Sequence, residues 1–175
     1  NVGVRQMHTL SHSEVARVFN RTFPDRGVVM SGGYAEPLYV PGINSAQMRY
    51  TRDHTESALH EAAHWRITGR PRRRLTDYGY LYSPPLGTGM DRARFEVAEV
   101  EAQSMELLFA EAAGSQFRAR ADDINVFPFL LEAFRYRILE RAHERRRTGL
   151  SSHADKIRAA LYFERHRIRT SLLRG

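Results

Sequence analysis

The sequence predicts an α+β fold in which a small mixed sheet packs against helices. Three observations carry that prediction. At 175 residues, the chain has the length of one domain with a continuous core. Between residues 27 and 51, β-branched and aromatic residues are punctuated by Gly and Pro, which reads as short strands. From residue 92 onward, long stretches follow helical periodicity instead, and strands gathered in one region with helices around them imply α+β rather than a doubly wound sheet.

Each element has its own signal. Ser11 to Glu14 forms an S-x-x-E capping box opening a helix through Phe19 to Phe23. "GVVMSGGYAEPLYVPG" (27–42) predicts two short strands around a turn, and "SAQMRYTR" another. Asp53, with Glu56 three residues on, can cap the next helix, and Gly69 is placed to end it. "LTDYGYLYSPPLGTG" (75–89) alternates aromatics and then breaks at Pro84, Pro85, Gly87 and Gly89, predicting a strand followed by a mobile loop. Residues 92–114 predict a long helix ending at Gly114, and residues 128–147 and 152–173 two more. The expected organisation is a single domain over 1–175, with a core at about 14–125 and a helical C-terminal extension at about 126–175.

Composition narrows the chemistry. Without Cys, any metal must be held by His and carboxylates. No apolar run has the length of a membrane span, and "NVGVRQMHTL" lacks a signal-peptide core, so a cytoplasmic protein with no membrane contact is expected. The net charge is +7 and the pI about 10.2. Much of this charge lies in "GRPRRR" (69–74) and the C-terminal third. Such a surface suits an acidic partner, although no base-reading module is visible and direct nucleic-acid binding is not expected. The C-terminal basic run reads as solvated helix faces, whereas Arg72, Arg73 and Arg74 directly follow the most informative helix.

That helix is "SALHEAAHWRITG" (57–69), which contains His60, Glu61 and His64 in the spacing H-E-x-x-H. Positions i and i+4 of a helix share a face, so both imidazoles can reach one ion, with Glu61 beside it to accept a proton. Ala58, Leu59, Ala62, Ala63 and Ile67 around the motif imply a buried helix, where two histidines need partners and a metal is a shared one. A third ligand is available downstream from Glu96, Glu99 or Glu101. Glu99 has Gln103 one turn on as a hydrogen-bonding partner, Glu96 shares roughly that face, and Glu101 points away toward solvent. Two His and one Glu suit zinc hydrolysis, with Glu61 as general base, and equally suit non-haem iron(II). The residues alone leave this fork open.

Further stretches add a resemblance. "EPLYVP" (36–41), "SALHEAAHW" with "GRPRRR", "DYGYLY" (77–82), "FEVAEVEAQSMELLF" (95–109), "AAG" and "DDIN" (122–125) occur in the order found in the bacterial elongation factor P hydroxylases, which the chain resembles over about 14–125. The resemblance implies a metallopeptidase-like core, with metal held by His60, His64 and Glu99, and Glu96 as runner-up. It implies iron(II) or zinc as the ion, molecular oxygen as co-substrate, and a β-lysylated lysine of elongation factor P, an acidic protein, as target. Glu61 would manage protons, Gln103 would support Glu99, and Asp77, Tyr78, Tyr80 and Tyr82 would line a groove for the lysine. The alternating Tyr suit a core strand equally well. Arg72, Arg73 and Arg74 would meet the partner, and a monomer is expected. Two alternatives remain, a zinc metallopeptidase and a basic, non-enzymatic binding module.

Overall fold

The computed structural model describes residues 8–79, 89–121 and 128–172. Among these are five helices and a three-stranded sheet, with α1 and α2 packed on the sheet: α1 (His12–Thr22), β1 (Val28–Tyr34), β2 (Leu38–Val40), β3 (Ala46–Thr51), α2 (Thr55–Ile67), α3 (Gly89–Ala113), α4 (Pro128–Thr148) and α5 (Ser152–Leu172). The fold is α+β.

Helix α1 begins as its capping box dictates. The Glu14 amide donates to Ser11 Oγ at 3.3 Å, and the Ser11 amide donates to Glu14 Oε2 at 2.8 Å. Val15, Val18 and Phe19 form its buried face. The two strands of residues 27–42 do not pair with each other. β3 lies between them, parallel to β1 and antiparallel to β2. Val28 and Met30, Tyr39, and Ala46, Met48 and Tyr50 point from the three strands into the core, the period-2 alternation of a sheet buried on one face. The β1–β3 register shifts between Ser31 and Tyr34. Gly32 is required there, because a Cβ would meet the Tyr50 ring at 2.3 Å.

Helix α2 is buried on most of its circumference, with Ala58, Leu59, Ala62, Ala63 and Trp65 all in the core. It is the central element, packed between β3, α1 and α3, and it carries Glu61 and His64 into the interior along with its apolar residues. Its ends differ from expectation. His54 occupies the N-cap without a side-chain cap bond, while Asp53 lies 3.6 Å from His12 Nε2. At the C-terminus Thr68 donates from Oγ1 to the His64 carbonyl at 2.7 Å, closing the helix one residue before Gly69.

The strand expected from residue 75 is absent over the described part of that stretch. Thr76–Gly79 forms a 3₁₀ turn, with Asp77 (φ 46°) and Tyr78 (φ 58°) in the left-handed region. Alternating aromatics mimic a strand, but Tyr78 is buried by stacking on Tyr39, with centroids 4.3 Å apart. Tyr80, Tyr82 and "PPLGTG" lie outside the described residues, as does the "DDIN" stretch. α3 ends at Gly114 (φ +76°). α4 packs on α3 through Phe134 and Ile138, beside Val100, and α5 closes the main core with Ala154, Ile157 and Leu161.

Candidate metal centre

The helical period places His60 and His64 on one face of α2, and α3 crosses that face. The crossing brings Glu99 to both histidines. His60 Nε2 and His64 Nε2 lie 2.9 Å apart, Glu99 Oε1 is 3.1 Å from His64 Nε2, and Glu99 Oε2 is 4.0 Å from His60 Nε2. All three donors are buried or half-buried. Two imidazole nitrogens at such a distance set lone pair against lone pair unless a cation or proton lies between them. The spacing also passes a simple fit test, since two atoms each about 2.1 Å from one ion are at most about 4.2 Å apart.

The other candidate glutamates have arginine partners, although Glu96 also lines the cavity at the three donors. Glu96 pairs with Arg137 on α4. Glu101, expected in solvent, instead accepts from Arg141 Nη2 at 3.2 Å and pairs with Arg145, because α4 covers that side of α3. Part of the basic C-terminal run is therefore not a free solvated face but a row of interhelical ion pairs.

Behind the donors lies a second layer. Gln103, 2 % exposed, donates from Nε2 to Glu99 Oε2 at 3.0 Å. The same amide clamps the backbone of Arg120, accepting from its N–H at 2.9 Å and donating to its carbonyl at 2.6 Å. Sequence reasoning missed Glu106 and Arg120. His60 Nδ1–H donates to Glu106 Oε2 at 2.7 Å, and Arg120 Nη2 donates to Glu106 Oε1 at 2.8 Å. Glu106 was findable: 99, 103 and 106 follow the i, i+4, i+7 spacing of one helix face. Arg120 carried no such signal, because it arrives from the segment after α3.

Electrostatics follow from this packing. Burial opposes a charged His60, yet Glu106 beside it, with Glu99 and Glu61 nearby, raises its pKa to about 9. Burial would lift Glu99, but its hydrogen bond to His64, the two imidazoles and the Gln103 amide bring it down to about 2. Glu61, buried in the same wall, is raised chiefly by burial. The histidines pull it back, and Asp77 and Glu99 push it further up.

A cavity of about 580 Å³ opens onto the three donors. Glu61, Asp77, Tyr78 and Glu96 line it, and Glu36 stands exposed on its lining. Asp77 is anchored by accepting from the Tyr39 amide at 2.8 Å. The Tyr78 ring lies nearly parallel to His64, with centroids 6.4 Å apart. Arg72 and Arg74 are exposed, whereas Arg73 turns inward, with its guanidinium 4.0 Å from the Trp65 ring centroid. No helix among the described residues is long and apolar enough to cross a membrane.

Comparison with known proteins places this arrangement in context. A family model described as elongation factor P hydroxylase matches residues 18–172, so the match runs well past residue 125, through α4 and α5. The elongation factor P lysine hydroxylase of Haemophilus influenzae is 34% identical over 153 residues, 85% of this chain and 85% of that protein.

Proposed function

The chain belongs to the elongation factor P hydroxylase family, and on that premise we propose that it hydroxylates a lysine side chain of elongation factor P, using one divalent metal held by His60, His64 and Glu99. The observation that carries the reading is that the family match spans both helices bearing these side chains, whose donor atoms all lie within 4.8 Å of one another. On this reading the target lysine already carries a β-lysyl extension, and the core around the H-E-x-x-H helix is metallopeptidase-like. Iron(II), for which zinc can substitute in purified protein, would supply activation of molecular oxygen at the positions that two His and one Glu leave open.

The chain's own residues hold that chemistry in place. Glu106 fixes the His60 tautomer by accepting its Nδ1–H, leaving Nε2 to the metal. Gln103 restrains the Glu99 carboxylate through Oε2. Glu61, with a carboxyl raised by burial, can hold a proton at its oxygen and return it within the cavity. Asp77 supplies a negative charge for an ammonium group, and Tyr78 an aromatic face for the lysine stem. Tyr80 and Tyr82 extend that groove on the same reading. Of the basic run, Arg72 and Arg74 are exposed and offer a surface suited to an acidic protein substrate, while Arg73 backs that surface from its place against Trp65.

The test is intact-mass analysis of β-lysylated elongation factor P co-expressed with this protein or with its His60→Ala variant. A gain of about 16 Da, one oxygen atom, that needs His60 is the expected result for a facial-triad oxygenase. No gain from folded, metal-loaded protein would overturn the reading. Peptide cleavage abolished by Glu61→Gln would then point to zinc hydrolysis.

A further inference from the structure

On the side of α2 away from His60 and His64, three arginines from separate parts of the chain converge on Trp65 and the start of α5. Arg26 donates from Nη2 to His153 Nε2 at 2.6 Å. Arg66 donates to Ser151 Oγ. Arg73 lies over the Trp65 ring and donates from Nη2 to the Trp65 carbonyl at 2.6 Å. That the three share one locality is clear from His153, which partial desolvation and the charges of Arg26, Arg66, Lys156 and Arg73 together hold below the usual imidazole range.

The cluster lacks a counter-charge. Several other arginines are matched with carboxylates, as Arg141 and Arg145 are by Glu101 and Arg17, Arg21 and Arg167 by Glu164. Arg26, Arg66 and Arg73 make no such pair among the described residues, and their hydrogen bonds go to neutral groups. The Nε atoms of Arg66 and Arg73 are buried and have no hydrogen-bond partner among the described residues. A buried donor on a cation is costly to leave without an acceptor, and like charges in proximity add to that cost, so the arrangement is uphill unless something anionic completes it.

We propose that Arg26, Arg66 and Arg73 form an oxyanion-binding site for a phosphate group, distinct from the metal centre. A phosphate dianion brings two charges and four acceptor oxygens to three cations and two orphaned donors, whereas one carboxylate brings half the charge and half the oxygens. Guanidinium groups match phosphate in geometry as well as charge. Beside the cluster is a cavity of about 510 Å³, lined by Arg26, Arg73 and Arg74 on one side and by Trp65, Tyr39 and Ile43 on the other. Its apolar wall suits the organic body of a phosphate ester. This site stands on its own observations and does not depend on the hydroxylase reading.

The test is calorimetric titration of the zinc-loaded protein with inorganic phosphate at constant ionic strength. Acetate is the comparison anion, phenyl phosphate the ester probe, and Arg66→Gln and Arg26→Gln the variants. Saturable phosphate binding is expected, weakened about tenfold or more in each variant, with the Arg66 and Arg73 Nε–H resonances moving during the titration. Tighter binding of phenyl phosphate would identify an ester as the ligand; equal binding would identify the free ion. Arg26 is exposed, so its variant keeps the test valid if Arg66→Gln does not fold. An equal response to acetate, or phosphate binding unchanged in the Arg26 variant with the two Nε–H signals static, would overturn the proposal.

Discussion

His60 keeps a proton to about pH 9 in the metal-free fold because Glu106 and Glu99 flank it in a buried site. A metal-bound imidazole must be neutral at the ligating nitrogen, so binding releases that proton. Glu99, at about 2, is already ionised and releases none. Apparent metal affinity should therefore rise with pH, by about tenfold per unit for one released proton, and level off near pH 9. A competition titration against a buffered zinc chelator from pH 6 to 8.5 measures this, and a flat profile would contradict the assigned role of His60. Stability of the metal-free protein has the opposite dependence. The raised His60 contributes fully below its unfolded value of 6.5 and loses that contribution as pH climbs to about 9. The lowered Glu99 contributes above 4.5 and is lost as pH falls through about 2. Glu106→Gln removes the charged acceptor of the His60 Nδ1 proton, and metal affinity should fall by about 10- to 100-fold while circular dichroism remains that of the folded chain. Glu61→Gln should retain metal, measured by atomic emission, yet lose about 10²-fold or more in hydroxylation if the carboxyl handles a proton.

Elements are joined here by a few buried charges. Glu164 on α5, 5 % exposed, accepts from Arg167 on its own helix and from Arg21 and Arg17 on α1, and Arg167 and then Arg21 bring its carboxyl to about 2 against the effect of burial. Glu164→Gln removes the charge that ties α1 to α5. The cost should be about 2 kcal/mol, because the arginines are themselves exposed and can return to water. For a chain of this length that is a fall in Tm of about 6 °C, readable by calorimetry at pH 7. The wild type should lose the same contribution as pH drops from 4.5 through about 2. Gly32→Ala tests the sheet. Its Cβ would press on the Tyr50 ring, whose hydroxyl is 2.9 Å from His12 Nδ1. Displacing that ring should cost about 1 to 3 kcal/mol, and a variant as stable as wild type would show that β1 relaxes freely.

At the scale of the whole molecule, the candidate metal centre would also serve as a clasp. His60 and His64 come from α2 and Glu99 from α3, so an ion bound there couples the central helix to the longest one. Chelation of the loaded protein should lower Tm by several degrees, and by more at pH 8 than at pH 6, following the proton release above. Differential scanning fluorimetry with and without chelator checks the sign. A Tm indifferent to metal at both pH values would mean that the three donors do not hold an ion in the folded protein.

The H-E-x-x-H spacing, the capping box at Ser11, the burial of α2 and the lengths of α3, α4 and α5 were legible in the sequence because each depends on local periodicity. Gln103 beside Glu99 was legible for the same reason, being one helical turn away. What lay beyond reading was everything set by long-range approach. β3 inserts between β1 and β2, α4 claims Glu96 and Glu101, and Arg120 returns to Glu106 across 14 residues. The turn at Asp77 and Tyr78 belongs to the same class, since alternating Tyr predict a strand until Tyr39 supplies a stacking partner. The sequence by itself determined which side chains share a helix face, through the 3.6-residue repeat. Which faces meet is a matter of tertiary packing, because the approach of α2, α3 and α4 sorts three similar glutamates into one carboxylate beside His60 and His64 and two arginine pairs.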